Sequence, residues 1–426
     1  MRAVADSAAI PHFATTVTDP VSDTVRVNLV LELPEQRAPA GTALYVHFPY
    51  CVVKCTYCDF YSVPAAKSDG TREDVDGVLA ALALEAQQRA PHAPRTVFLG
   101  GGTPSLPSAR QIRGFLDRLD DATGFRASAL EVTAECNPES LDEHKARALL
   151  DGGVTRLSIG VQSLRPKVLE LFGRAHGADD GLRALAAARA AGATRLSADL
   201  IHSVPGLTPS EWREDLERVL AAANGLDHLS AYNLTFEEGT LLERLRQRGK
   251  LTPLDEDTEL AMIDATEELT RAAGLERYEV SNFAQRGQEC RHNLVYWANE
   301  PYVGIGPSAV SKQDDARFGN PKSIGAWRAS VESGAPAASW SERPSPAVRL
   351  GETWWLGLRR AIGVDPSEAR KAALLAPDDD TTERAPLATA ERLVELGLLE
   401  QLGARYRLTP RGLPVADAVA REFLVT

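Results

Sequence analysis

Short apolar runs rich in β-branched residues alternate, over most of the chain, with longer stretches in which apolar residues recur every three or four positions. The short runs indicate buried strands, and the longer stretches indicate amphipathic helices. This alternation predicts repeated βα units around a parallel sheet. The predicted strands are 44–48, 96–100, 130–135, 156–162, 195–201 and 228–234, and the predicted helices between them include 72–89, 108–119, 140–150, 179–191 and 209–223.

Six βα units are fewer than the eight of a closed barrel, so the pattern predicts an α/β fold, either an incomplete (β/α)6 TIM-like barrel or an open doubly wound sheet. Either fold would leave a lateral opening for a large ligand. A Pro-rich segment predicts a linker, and the helical pattern after it predicts a small C-terminal helical or winged-helix-like domain. The expected parts are an N-terminal extension (1–40) in which 25–33 could add a strand, a partial barrel (41–275), a barrel-completing segment (276–334), the linker (335–346) and the C-terminal domain (347–426).

The composition is typical of a globular enzyme, since 44% of the 426 residues are hydrophobic and 25% are charged. No apolar run approaches the ~18–20 residues needed to cross a bilayer. Residues 1–40 lack the basic start and apolar block of a secretory signal, so we expect a cytoplasmic protein. The net charge of −12 argues against broad contact with a nucleic-acid backbone and favours a structural or partner-docking role for the C-terminal domain.

Three of the five cysteines lie within one short segment, here called the cysteine loop (51–58), in the spacing Cys51-x3-Cys55-x2-Cys58. Thiolates are soft ligands that suit iron–sulfur clusters and zinc. Because no fourth cysteine lies at a matching spacing, the motif favours a 4Fe-4S cluster with one iron open for an exchangeable small molecule. The alternative is a zinc site of the Cys3His kind with His47 as fourth ligand. A disulfide framework is disfavoured, because the cysteines form no even, spaced set.

Polar residues recur where the predicted strands end. The cysteine loop follows the first strand, a glycine turn (100–104) follows the second, and the next four strands end at or near Glu135, Gln162, Asp199 and Asn233. In parallel βα folds the reactive groups collect at the carboxyl ends of the strands, so we expect these residues at one rim. Glycine lets the backbone of the turn approach a ligand closely, and the spacing is not that of a phosphate-binding loop.

The cysteine spacing after the first strand and the glycine turn after the second resemble the signature of the radical S-adenosylmethionine (SAM) superfamily. The resemblance extends from about residue 43 to the C-terminus and implies an incomplete barrel of the radical SAM type. It also implies that the methionyl amine and carboxylate of SAM chelate the open iron. By this resemblance the cluster ligands are Cys51, Cys55 and Cys58, and the SAM contacts are Tyr45, Tyr57, Gly101, Gly102, Thr103, Glu135, Gln162, Arg174 and Asp199.

Within the superfamily, the chain is similar to the branch that contains oxygen-independent coproporphyrinogen III oxidase and the HemW heme chaperones. The oxidase pattern has a further cysteine two residues after the last cluster ligand, where this chain has Phe60. The run His292-Asn-Leu-Val-Tyr-Trp297 resembles a motif of the heme chaperones. The resemblance therefore implies a protein that binds heme, with His292 as the leading candidate ligand and Cys290 as a second.

The same resemblance implies partners for such a chaperone. They are an acceptor protein that receives the heme, an electron donor such as flavodoxin or ferredoxin, and a second copy of the chain in a homodimer. The alternative functions keep the same cofactors. They are oxidative decarboxylation of coproporphyrinogen III to protoporphyrinogen and methyl transfer by a related radical SAM enzyme.

Overall fold

A computed structural model describes residues 38–66, 74–335, 337–376 and 379–424. Most of the predicted N-terminal extension, including the strand predicted at 25–33, lies outside these ranges. The strands of the described part are β1 (Ala43–Phe48), β2 (Tyr50–Cys51), β3 (Val63–Pro64), β4 (Thr96–Gly101), β5 (Glu131–Cys136), β6 (Arg156–Gln162), β7 (Leu196–His202), β8 (His228–Asn233), β9 (Glu276–Glu279), β10 (Asn282–Ala284), β11 (Tyr302–Ile305), β12 (Val310–Gln313), β13 (Ala316–Gly319), β14 (Trp340–Glu342), β15 (Leu399–Leu402) and β16 (Arg405–Leu408).

The helices follow the strands in the alternation that the sequence predicts. None of the helices in the described part is both long enough and apolar enough to cross a membrane. The α-helices are α1 (Val75–Arg89), α2 (Ala109–Thr123), α3 (Phe125–Ser128), α4 (Glu143–Asp151), α5 (Pro166–Leu171), α6 (Ala178–Ala190), α7 (Pro209–Leu220), α8 (Leu241–Gln247), α9 (Glu256–Ala272), α10 (Arg291–Trp297), α11 (Ile324–Glu332), α12 (Pro346–Gly357), α13 (Pro366–Ala372), α14 (Asp380–Glu395) and α15 (Ala416–Arg421).

Strands β1, β4, β5, β6, β7 and β8 are neighbours in that order and all run parallel. They are the six predicted strands, and their bounds differ from the predicted ones by no more than one residue. Strand β11 adds a seventh parallel strand beside β1. The sheet of twelve strands ends at β14 on one side and β9 on the other. The predicted incomplete (β/α)6 barrel with a C-terminal domain is therefore confirmed.

The barrel strands are buried on both faces, but the two faces differ in chemistry. Side chains such as Leu44, Val97 and Leu157 face the surrounding helices and form the main apolar core. Residues of the opposite parity point inward because side chains alternate along a strand. They include several buried polar groups, among them Glu131 and Arg156. The interior of the barrel is therefore polar and is held together by hydrogen bonds.

The buried carboxylate of Glu85 attaches the segment after the barrel to helix α1. Glu85 is fully buried and accepts hydrogen bonds from the backbone N–H of Gly306 (2.7 Å) and the indole N–H of Trp327 (2.8 Å). The side chains of Asn320 and Arg89 also donate to it, each at 2.8 Å. Because β11 and α11 flank these contacts, Glu85 fixes the seventh parallel strand and its helix against the barrel.

The C-terminal residues form a second apolar core around Trp354 of α12. The Trp354 ring stacks on Phe423 with ring centroids 4.9 Å apart and also packs against Tyr406 of β16. Helices α12–α15 and the antiparallel pair β15–β16 surround this core. The segment predicted as a linker (335–346) instead contributes strand β14, which pairs with β13 at the edge of the main sheet. Prolines flank this strand in the sequence, and three residues are too few to show the alternation that predicts a strand.

We expect Glu85→Ala to lower the free energy of unfolding by about 3–5 kcal/mol. The substitution leaves buried hydrogen-bond donors without an acceptor and removes the carboxylate that pairs with the Arg89 guanidinium. Urea denaturation followed by tryptophan fluorescence measures this change. The matched control is Glu143→Ala, which removes an exposed pair with Arg147 and should cost less than about 1 kcal/mol. Equal effects of the two substitutions would show that Glu85 does not anchor this segment.

Candidate functional site

The carboxyl ends of the six parallel strands surround a cavity of about 230 Å³. Parallel βα folds bind ligands at this end of the sheet, because loops and helix N-termini meet there. Strands β4 to β8 contribute residues to the wall, and the cysteine loop that follows β1 completes it. Of the residues singled out from the sequence, the cavity is lined by Cys51, Cys55, Tyr57, Cys58, Gly101, Gly102, Thr103, Glu135, Gln162, Arg174, Asp199 and Asn233.

The cysteine loop presents three half-buried thiols to this cavity, and none of them forms a disulfide. The short parallel pair β2–β3 holds the start of the loop, where the N–H of Ala65 donates to the carbonyl of Cys51 at 2.8 Å. Burial raises the pKa of the Cys51 thiol, and it raises the pKa of Cys58 to about 12. A metal centre would offset this cost, since coordinated thiols are deprotonated. Three soft donors from one loop fit an iron–sulfur cluster with one open iron.

The structure contradicts the alternative of a zinc site with His47 as fourth ligand. Both ring nitrogens of His47 are engaged, since Nδ1 lies 3.0 Å from the hydroxyl of Tyr45 and Nε2 lies 2.7 Å from the carbonyl oxygen of Tyr61. The side chain is fully buried. Among the described residues, no three His, Cys, Asp or Glu side chains are grouped closely enough to hold one metal ion. Cluster thiolates bind different irons and therefore need a wider spacing than the ligands of a single ion.

The glycine turn packs directly against the start of the cysteine loop. The N–H of Gly102 donates to the carbonyl of Phe48 (2.6 Å), and the N–H of Thr103 donates to that of Tyr50 (2.8 Å). A Cβ atom on Gly102 would lie 2.6–2.7 Å from these two carbonyl oxygens. Gly101 has a φ of +96°, and a Cβ there would lie 2.5 Å from the His47 ring. Glycine is therefore required at both positions, because any side chain would push the turn away from the loop.

Two half-buried carboxyl groups, Glu135 of β5 and Asp199 of β7, face the cavity. Burial, together with the charge of Asp199, raises the pKa of Glu135 to about 8, although the backbone N–H of Gly101 donates to it. Burial also raises the pKa of Asp199, which accepts a hydrogen bond from Ser158 at 3.0 Å. The cavity thus holds acidic groups whose ionisation a cationic ligand would favour.

Arg174 supplies the opposite charge and connects the cysteine loop to two strand ends. Its guanidinium donates to the sulfur of Cys55 (3.5 Å), the side-chain oxygen of Asn137 (2.9 Å) and the carbonyl of Gly160 (3.1 Å). The Asn137 amide in turn donates to Thr103 at 2.9 Å. Asn137 also lines the cavity, and the sequence reasoning missed it. Its place two residues after Glu135 is the signal that could have found it.

Gln162 lies at an irregularity in the pairing of β6 with β7. Its φ of +65° is in the left-handed region of backbone conformation, which residues other than glycine rarely adopt. Such strain concentrates at functional sites, where the surrounding structure holds it in place. The irregularity re-aims the end of β6 into the cavity.

The two predicted tyrosines occupy different places. Tyr57 lines the cavity, and its ring packs on Phe172 at 4.7 Å. Tyr45 is absent from the cavity wall and lies behind the glycine turn, where its hydroxyl contacts His47. In this structure Tyr45 supports the turn through His47, and its contact with a ligand stays a prediction.

The predicted heme ligands, His292 and Cys290, lie at the opposite end of the barrel. The His292 ring contacts the hydroxyls of Thr96 (2.9 Å) and Tyr296 (3.0 Å), so both nitrogens are engaged. Thr96 is the first residue of β4, which places His292 at the amino end of the strands. Burial lowers the pKa of His292 to about 3 and keeps the ring neutral. In this structure the fully buried side chain offers no nitrogen to iron and has a structural role, and heme ligation by His292 stays a prediction.

Cys290 is also fully buried, with its thiol 3.4 Å from a carboxylate oxygen of Glu131. Glu131 further accepts hydrogen bonds from the backbone N–H groups of Arg291 (3.0 Å) and His292 (3.1 Å). It therefore caps the first turn of α10 and holds this helix in the floor of the barrel. Cys290 likewise has a structural role in this structure, and its assignment as a second heme ligand stays a prediction.

We expect the raised pKa of Glu135 to make the metal-free protein less stable as the pH rises. The unfolded carboxyl ionises near pH 4.5 and the folded one near pH 8, so its favourable contribution is complete below pH 4.5 and is lost as the pH rises through 8. Glu135→Gln removes this loss, which is on the order of a few kcal/mol. Urea denaturation at pH 5.5, 7 and 9 measures the change, with Glu143→Gln as the exposed control. If the free energies of unfolding of the wild type and of Glu135→Gln change with pH by the same amount, the expectation is refuted.

Comparison with known proteins agrees with this geometry. The family model described as Radical SAM superfamily matches residues 45–219. A heme chaperone HemW from Synechocystis is 36% identical over 390 residues, which cover 89% of this chain and 91% of the relative. The heme chaperone HemW of Mycobacterium tuberculosis is 35% identical and is covered to 98%, with 92% of this chain aligned.

Among solved structures, coproporphyrinogen III oxidase (HemN) from Escherichia coli, a radical SAM enzyme, shares the fold. The TM-score is 0.73 at 22% identity, and the match covers 91% of both chains. The sequence relatives extend across the barrel and the C-terminal residues together, at identities above 30%. The chain therefore belongs to the HemW family of the radical SAM superfamily.

Proposed function

We propose that this protein is a radical SAM heme chaperone, which binds a 4Fe-4S cluster, SAM and heme and transfers the heme to an acceptor protein. The observation that carries the proposal is the arrangement of three free thiols on one side of a cavity whose other walls hold two carboxyl groups and a guanidinium. The similarity to the HemW proteins of two bacteria over nearly their whole length supports the heme function.

Cys51, Cys55 and Cys58 are the proposed cluster ligands. The loop supplies three protein thiolates, which leaves one iron of a cubane cluster for an exogenous ligand. Arg174 is positioned to moderate the negative charge of the thiolates, because its guanidinium already donates to the sulfur of Cys55. The glycine turn fixes the loop against β1 and keeps the thiols on the cavity side.

The cavity walls match the charges of SAM, which carries a sulfonium, an ammonium and a carboxylate. Glu135 and Asp199 are the proposed partners of its cationic and hydroxyl groups, and Arg174 is the proposed partner of its carboxylate. Gly101, Gly102 and Thr103 offer backbone groups, while Gln162 and Tyr57 complete the wall. When bound and reduced, the cluster supplies one electron for cleavage of a carbon–sulfur bond in SAM, and the protein orients the reactants and limits water.

The alternatives are oxidative decarboxylation of coproporphyrinogen III and radical methyl transfer. The likeness to the E. coli oxidase supports the fold alone, since only 22% of the residues are identical. Phe60 stands where the oxidase pattern has its additional cysteine, which favours the chaperone. The proposal also includes an electron donor, a heme acceptor and a homodimer as partners.

We expect the triple substitution Cys51→Ala, Cys55→Ala and Cys58→Ala to abolish cluster binding after anaerobic reconstitution, because it removes every proposed ligand. Iron and sulfide contents and the visible absorption spectrum measure the loss. The matched controls are Cys136→Ala and Cys290→Ala, which remove buried thiols outside the loop and should keep the full iron content. Iron retained by the triple variant, or lost equally from the controls, would contradict the ligand assignment.

We expect the reconstituted protein to bind heme stoichiometrically and to release it to apomyoglobin, used as an acceptor probe. With SAM, reductant and coproporphyrinogen III it should form no protoporphyrinogen. Absorption spectroscopy follows the heme, and chromatography of the oxidised porphyrins follows turnover. Formation of protoporphyrinogen would reject the chaperone in favour of the oxidase. His292→Ala should bind heme with the affinity of the wild type if it remains folded, because His292 is enclosed in the barrel floor.

A further inference from the structure

Helix α8 lies directly against the cysteine loop. The backbone N–H of Leu242 donates to the carbonyl oxygen of Thr56 at 3.1 Å, and Thr56 follows the proposed ligand Cys55. Thr56 is held from the other side as well, since its own N–H donates to Phe172 at 3.0 Å and its hydroxyl donates to Leu171 at 2.7 Å. The start of α8 is therefore fixed one residue away from a cluster ligand.

Four exposed cations follow one another along α8 and the turn after it, namely Arg244, Arg246, Arg248 and Lys250. Arg246 pairs with Glu243 at 2.6 Å. Within the described residues, the other three cations form no ion pair. This cationic group stands out in a chain whose net charge is −12. Although Glu237, Glu238 and Glu243 lie in the same segment, its local excess of positive charge favours the approach of a negatively charged surface, which the protein as a whole repels.

An apolar side chain is exposed in each of the two segments that meet at Thr56, namely the cysteine loop and α8. Val52 in the cysteine loop is 39% exposed, and Leu241 in the first turn of α8 is 44% exposed. Lys54 adds a further exposed cation, with its amino group 4.0 Å from the sulfur of Cys58 and within hydrogen-bonding distance of Ser62. Exposed apolar side chains together with exposed cations are typical of the composition of a protein–protein interface.

We propose that this surface, here called the α8 surface (Val52, Lys54, Leu241, Arg244, Arg248 and Lys250), docks a small acidic protein that carries one electron. The inference rests on the proposed function, because only a protein with a redox cluster at the cysteine loop needs such a partner. One electron passes from the carrier to the cluster, so the carrier is oxidised by one electron, the cluster is reduced by one, and no bond is made or broken.

The position and the charge of the α8 surface favour an acidic electron-carrying protein as the partner that docks there. Electron carriers must approach the cluster closely, and the α8 surface contains part of the loop that holds the proposed ligands. Transient redox complexes use small interfaces and depend on electrostatic attraction for rapid encounter. A nucleic acid would need a far more extensive basic surface than three unpaired cations in an acidic protein.

The test is the rate at which reduced flavodoxin, an acidic carrier, reduces the reconstituted cluster in anaerobic stopped-flow experiments. The variant is Arg244→Glu, Arg248→Glu and Lys250→Glu. The matched control is Arg286→Glu, Lys371→Glu and Arg384→Glu, which changes the formal charge equally at exposed sites. Arg286 follows β10, whose last residue pairs with the first residue of β8, so it lies at the amino end of the barrel. Lys371 and Arg384 lie in the C-terminal domain. Reduction by dithionite, which needs no docking, tests the cluster itself.

We expect the α8 variant to be reduced by flavodoxin about tenfold or more slowly than the wild type at low ionic strength, with the difference shrinking as salt is added. The control variant should retain most of the wild-type rate, and dithionite should reduce all three proteins alike. Unchanged reduction of the α8 variant by flavodoxin, or an equal loss in the control, would overturn the docking proposal alone. A wild-type protein with no cluster for dithionite to reduce would overturn the proposed function, and this inference with it.

Discussion

Contact between the glycine turn and the start of the cysteine loop determines where the three thiols lie. The turn donates two backbone hydrogen bonds to carbonyls of residues 48 and 50, at a separation that leaves no space for a Cβ atom on Gly102. The parallel pairing of β1 with β4 brings the two segments together, since Phe48 is paired with Gly101. The other parts of the site lie around these two segments. The thiols, the two carboxyl groups and Arg174 all line the same cavity beside them.

The polar interior of the barrel opposes stability and favours binding. A barrel interior is ordinarily filled by branched apolar side chains, but here Arg156 is buried within it and Glu135 and Asp199 are half-buried at its carboxyl end. Desolvation of these groups has a cost that the surrounding apolar core must offset. Active and binding sites commonly depart from the most stable arrangement in this way. The stability of this fold and the affinity of its cavity are consequently set by the same buried groups.

The sequence predicts the parts of the fold that have long, regular patterns. The sequence predicts the six barrel strands to within one residue because each is six or seven residues long and has apolar residues at alternate positions. Strands β9–β13 were not assigned, because runs of three or four residues in a polar, aromatic segment contain too few positions to show a period. The strand-end rule identified Glu135, Gln162 and Asp199, which share the cavity wall. It did not predict that His292 would have both nitrogens engaged, because the partners of that ring, Thr96 and Tyr296, are determined by how α10 packs in three dimensions.

The position of α10 determines from which end a ligand can enter the barrel. Glu131 caps this helix and the buried His292 ring packs behind it, so α10 closes the amino end of the barrel. A compound therefore reaches the thiols from the carboxyl end of the strands or through the open side of the incomplete barrel, and not past α10.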